Sequence, residues 1–296
     1  MQRLTVEEDG MGRRYIREQW TECGEKYAEV DLFWVSEAEH KAGPRRKKEL
    51  ASSLAQQKRN AQHSKRYFTQ LIHCNFDRRG FHLALTYDDA FLPEDEEWAA
   101  RDLENYLRRV RWWLKKRGHD PAGLKWIAVT EHQDADKAAG VKEVRYHHHL
   151  LIQHDGLDRK ARGELRQALE DLWSTGRGEL REPLGRANAD RLQPDDDGLA
   201  ALAGYLLKYP KRKKRWRQSR GLQKPRYRRP NDSRWTRRKL ELACTADAED
   251  AYVWEQKYPG WRFLGAYPQW SEERGEWRCY IRLWRKEYLW AKPGGR

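Results

Sequence analysis

Tyr146-His147-His148-His149-Leu150-Leu151-Ile152 runs three imidazoles straight into three aliphatic side chains. Read as a strand entering a core, the stretch alternates faces, so His147 and His149 share one face and His148 takes the other. Two imidazoles one strand period apart form a pair of metal ligands held by backbone rather than by a loop. A short histidine run also occurs by chance at sheet edges, so its neighbours must decide.

Residues 124–131, Leu-Lys-Trp-Ile-Ala-Val-Thr-Glu, read as a second strand, and the polar loop after it makes it the antiparallel neighbour of the histidine strand, residues 143–153. Glu131 closes that strand and so falls near His147 and His149. Two neutral imidazoles and one carboxylate leave coordination positions open for a divalent cation working on a phosphate. The set suits Mg²⁺ or Mn²⁺ with waters completing the shell, and zinc on ligand type alone. A structurally satisfied buried carboxylate is the competing reading of Glu131.

Working outward, residues 49–74 form a long basic helical stretch, and Gly80 separates it from an apolar strand over 81–87. Pro93 and the acids that follow start a helix that ends near Gly118, with Leu103, Tyr106, Leu107, Val110, Trp113 and Leu114 at helical spacing. Residues 157–173 form an amphipathic helix, and residues 176–193 hold one or two short strands. Asp195-Asp196-Asp197 caps a last helix over 198–209, which Pro210 ends. This order predicts an α+β fold, a central antiparallel sheet with helices packed against it. Residues 1–43 contain an apolar stretch at Val30–Val35 but no assignable role.

Within the last helix Tyr205, Lys208 and Tyr209 stand at i, i+3 and i+4 and share a face. A tyrosine hydroxyl can attack phosphorus to give a covalent phosphotyrosine, and a nearby lysine can meet the charge that develops. Two core tyrosines with a snorkelling lysine are the bland alternative. Tyr209 precedes proline, which biases its backbone away from the helical region. Tyr205, with a full turn beyond it, is therefore the expected main nucleophile, and Tyr209 a second nucleophile or a stacking group.

The 296 residues carry a net charge of +14, 15 Trp and 14 Tyr, with a mean hydropathy of −1.12. Residues 211–239 hold 15 Lys or Arg against the single acid Asp232, so that segment accounts for the whole excess. Such a block fits a polyanion, and the interleaved Trp216, Tyr227 and Trp235 can stack on bases while the arginines meet phosphates. Lys211, Arg212, Lys213, Lys214, Arg215, Trp216, Arg217 and Arg220 are the expected DNA contacts. Cys23, Cys74, Cys244 and Cys279 are far apart in sequence, which argues against a zinc module or a disulfide framework and fits a reducing cytoplasm. No apolar run is long enough for a membrane span, and the N-terminus lacks the apolar core of a signal peptide. No membrane partner is expected.

Taken in order, Leu85-Thr86-Tyr87, Glu131, His147-His148-His149 and Tyr205-Leu206-Leu207-Lys208 resemble the motifs of HUH endonucleases. These comprise rolling-circle replication initiators, with relaxases and some transposases as relatives. The resemblance covers about residues 45–290 and is nearest to the initiators of bacterial plasmids, phages and integrated elements. It implies an HUH/RRM-like sheet of about five antiparallel strands and a metal held by His147, His149 and a polar third ligand. It also implies nicking of single-stranded origin DNA through a 5′ phosphotyrosine, in a bacterial cytoplasm and alongside host helicase and polymerase. His148 stands where the family usually carries a bulky apolar residue, and Tyr205-x-x-x-Tyr209 matches both one- and two-tyrosine members. The implied division is an N-terminal segment 1–43, a nicking domain 44–210, and a basic aromatic-rich region 211–296 that binds DNA and packs on the core. An HUH transposase or relaxase, or a non-catalytic DNA-binding regulator, are the alternatives. No phosphate-binding loop of a helicase is present.

Overall fold

The computed structural model describes residues 7–9, 12–37, 54–135, 140, 142–176, 180–207 and 216–288. In chain order, β1 (Glu7–Asp9), β2 (Gly12–Cys23) and β3 (Tyr27–Ser36) precede helix α1 (Leu54–Asn75). Next come β4 (Phe81–Thr86), α2 (Glu96–Lys116), β5 (Leu124–Gln133), β6 (Val144–His154) and α3 (Arg159–Asp171). The short strands β7 (Ser174–Thr175), β8 (Glu182–Pro183) and β9 (Ala187–Arg191) lead to α4 (Ala200–Leu206) and β10 (Arg217–Gln218). Finally β11 (Arg226–Tyr227), α5 (Arg237–Thr245) and α6 (Ala251–Lys257) precede the hairpin of β12 (Trp261–Ser271) and β13 (Glu276–Arg285).

The chain divides into two compact units, residues 75–222 and residues 1–74 together with 223–296. This differs from the division at 43/44 and 210/211, because strand pairing crosses both of those points. β3 from the N-terminal stretch pairs with β13, and β10 from the basic block pairs with β5.

Unit 75–222 is α+β, with a five-stranded antiparallel sheet in the order β10-β5-β6-β4-β9 flanked by helices. The amphipathic face of α2 (Leu103, Tyr106, Leu107, Val110, Trp113 and Leu114) is buried as its spacing requires. With Leu165 and Leu169 of α3 it covers the sheet face that carries Leu83, Leu85, Leu150 and Ile152. Both helices start where short acidic side chains accept orphan amides: Asp95 from Trp98 N at 2.6 Å and Asp158 from Ala161 N at 2.7 Å. Trp173 is pinned in this core by an indole N–H donated to the Thr86 carbonyl at 2.7 Å.

The last helix of this unit is shorter than its pattern suggests, spanning Ala200–Leu206 with Leu199 at its N-cap. The aspartates do not cap it. Asp195 accepts from the Asp197 amide at 2.8 Å and closes a tight turn with Gly198 instead, which consumes the segment before the helix can begin.

In the other unit the sheet runs β1-β2-β3-β13-β12, with β11 beside β2. One face packs Ile16, Val30, Leu32, Ile281 and Leu283 against Leu240 of α5 and Trp254 of α6. On the opposite pleat positions of β3 stand Glu29 and Asp31, and Arg66 of α1 donates to both, at 2.6 Å to Glu29 and 2.6–2.8 Å to Asp31. Glu29 is wholly buried and also accepts from Gln70 and Tyr27 at 2.6 and 2.9 Å. Breaking a buried, hydrogen-bonded ion pair strands its partner, so Glu29→Gln should cost about 3 kcal/mol in stability. Urea denaturation followed by tryptophan fluorescence checks this, and an unchanged midpoint would show the carboxylate to be dispensable.

The four cysteines, distant in sequence, are buried and free. They nonetheless fall in pairs, Cys23 beside Cys74 and Cys244 beside Cys279, close enough for one thiol to hydrogen-bond the other. Among the described residues no helix is long and apolar enough to cross a membrane.

Candidate metal centre and nucleophile

β6 splits its histidines by pleat. His148 turns into the core, fully buried, with Tyr87 Oη 2.9 Å from its Nε2 and Thr130 Oγ1 2.9 Å from its Nδ1. Both ring nitrogens are thereby satisfied, which explains how a histidine replaces an apolar residue at that position. Burial raises the Tyr87 pKa, aided by the nearby Asp102 carboxylate, so the phenol stays protonated.

His147 and His149 project from the other face. Across the ladder Glu131 of β5 stands directly opposite His147, and its Oε2 lies 3.4 Å from His147 Nε2. One ligand atom from each of Glu131, His147 and His149 falls within 4.8 Å of the others. The chemistry of this donor set fits a metal ion. His147 Nδ1 is 2.8 Å from the Arg145 carbonyl. A carbonyl only accepts, so Nδ1 carries the proton and Nε2 keeps its lone pair on the Glu131 side.

A fourth histidine, His82 of β4, completes the arrangement. Its ring stacks on His149 with centroids 5.3 Å apart and planes at 20°, and its Nε2 lies 3.2 Å from His149 Nδ1. This contact fixes the His149 ring and leaves its other nitrogen for a ligand, the usual role of an outer partner in a metal site. Sequence reading missed His82, although the signal was present: it alternates with Ala84 and Thr86 on the strand paired with β6, and so shares the site face.

Electrostatics separates the two site imidazoles. For His147 burial opposes the charge, but hydrogen bonds to Glu131 and to the Arg145 carbonyl, with the Glu131 charge, outweigh it and raise the pKa. For His149 burial dominates and lowers the pKa to about 4, opposed by Glu131 and reinforced by His147 and His82. His149 is therefore neutral at pH 7, the form a metal requires.

Tyr205 of α4 brings its ring to 5.3 Å from that of His149, edge to face, and remains 53% exposed. Its helix is seated by Ala203 and Leu206, both buried. Lys208, Tyr209 and the run Lys211, Arg212, Lys213, Lys214 and Arg215 lie outside the described residues. Beyond them Trp216 donates its indole N–H to Gln218 at 2.8 Å. Arg217 forms part of the edge strand β10 and pairs with Glu104 at 3.1 Å, and Arg220 is exposed. The site thus joins Glu131, His147, His149 and Tyr205.

Residues 81–214 match the family model of a replication-associated protein of the ORF2 type. The matched segment begins at β4 and contains every candidate metal and tyrosine residue. No curated protein and no solved structure matches the chain significantly.

Proposed function

We propose that this chain initiates replication by nicking single-stranded origin DNA through a tyrosine nucleophile, in the manner of an HUH endonuclease. The observation that carries the reading is the exposed Tyr205 ring packed against His149 of a three-donor cluster. The match of residues 81–214 to a replication-associated family supports it and implies DNA as the partner.

His147, His149 and Glu131 would hold a divalent cation, Mg²⁺ or Mn²⁺, whose chemistry is Lewis-acid polarisation of the scissile phosphate. The Tyr205 hydroxyl oxygen forms a bond to phosphorus as the bond to the 3′ oxygen breaks. The phenolic proton leaves, and the departing 3′ oxygen takes one up. One phosphodiester is exchanged for another, so the linkage is kept for rejoining while the free 3′ hydroxyl primes synthesis. Lys208, three residues along, would offset the charge that develops in transfer. Tyr209 would serve as a second nucleophile or stack on DNA.

His82 keeps the His149 ring from swinging, and small misplacements of such groups cost large factors in rate. The block Lys211–Arg215, with Trp216, Arg217 and Arg220, supplies sequence-independent attraction to the strand. Incubating the full chain with origin-region single-stranded DNA and Mn²⁺, then running a denaturing gel, should show a protein–DNA adduct that chelation prevents. No adduct on any oligonucleotide tiling the origin region would overturn the proposal.

A further inference from the structure

The unit built from residues 1–74 and 223–296, outside the family match, has a cleft of its own. Arg14 of β2, Arg237 at the start of α5, and Trp270, Arg274, Glu276 and Trp277 around the β12–β13 turn line it. Three features of the cleft point to one ligand chemistry. Trp270 is 49% exposed, with its ring 5.2 Å from that of Trp277, so a large aromatic face stands open beside arginines. Those arginines suit phosphate. Glu276 is only 5% exposed, and Arg14 donates to its Oε1. Its Oε2 is buried without a hydrogen-bond donor among the described residues. A buried acceptor left in that state is costly, and something outside the chain that brings an N–H would complete it.

A π-face, an anion site and an acceptor for an N–H edge are together the complement of a nucleotide. A purely anionic ligand would meet the Glu276 carboxylate, and an apolar one would leave Oε2 unsatisfied. We propose that this cleft binds one nucleotide of single-stranded DNA and selects guanine. The base stacks on Trp270, Glu276 Oε2 accepts from its Watson–Crick edge, and Arg237 and Arg274 face the flanking phosphates. Guanine carries two adjacent N–H donors beside the O6 acceptor, which matches a carboxylate standing next to the Arg14 guanidinium. Thymine turns two carbonyls toward the same carboxylate. Adenine and cytosine each offer a single amino donor.

The test uses the full chain in EDTA, which separates binding from cleavage, and fluorescence anisotropy with labelled dT12 or dT12 carrying one central dG, dA or dC. Wild type should bind the dG strand about tenfold more tightly than dT12, with dA and dC between them. Glu276→Gln puts its amide oxygen on Arg14 and an N–H₂ toward the base, so the dG preference should vanish while dT12 affinity stays. Trp270→Ala, at a half-exposed position that the fold tolerates, should weaken all four strands by at least about fivefold. Far-ultraviolet circular dichroism shows that each variant is folded. A wild-type protein indifferent to dG, or a dG preference that survives in folded Glu276→Gln, would sink the assignment. Because no step depends on Tyr205, absence of a covalent adduct with an intact dG preference would overturn the nicking proposal alone.

Discussion

Tyr205→Phe should abolish the covalent protein–DNA adduct, with a loss in cleavage rate of at least about 10⁴-fold, the scale seen when a covalent nucleophile is removed. The change deletes one oxygen from a side chain already half in solvent, so the fold and the ring contact with His149 should survive. Single-stranded DNA binding, which draws on charge elsewhere, should be unchanged by the same substitution. Tyr209→Phe should still form the adduct, and mass spectrometry of digested wild-type complex should place the nucleotide on Tyr205. A nucleotide found on Tyr209 would reverse the assignment.

His149→Ala is expected to be nearly as damaging to cleavage and equally harmless to binding. It removes a donor whose low pKa keeps it neutral across the working range, and no neighbour can take its place. His82 already touches His149 through the nitrogen that faces it. His82→Ala offers the graded comparison. Loss of an outer partner typically costs about 10- to 100-fold in metal affinity, so it should shift the Mn²⁺ dependence while leaving activity at saturating metal largely intact. Cleavage retained at full rate in His149→Ala would remove the metal centre from the reading.

Much of the catalytic unit was legible because its signals are local. The alternation of β6 placed His148 opposite to His147 and His149, and the loop to β5 put Glu131 across from them; strand register delivers both. His82 escaped notice because its role depends on a partner 67 residues away and on which strand edge β4 occupies. The length of α4 was misjudged because three aspartates resemble a cap, whereas Asp195 spends its carboxylate on a turn. The second sheet was less visible still. Glu29 and Asp31 break the apolar alternation of β3, and the reason for two acids there lies with Arg66, in a helix that sequence alone does not dock. β12 and β13 mix Trp, Tyr and Arg on both faces, so period-two contrast is weak.

The pairing of β3 with β13 has a consequence for how the chain is made. About 240 residues separate those two strands, and at a synthesis rate of roughly 5–20 residues per second the first hairpin waits for some 10 to 50 seconds on the ribosome before its partner exists. Residues 75–222 have by then emerged and can fold by themselves. The β2–β3 hairpin meanwhile offers the open edge of β3, with Ile16, Val30 and Leu32 uncovered, to any other nascent chain. Yield in the cell should therefore respond to translation speed and to chaperones that shield strand edges, even where the finished protein is stable.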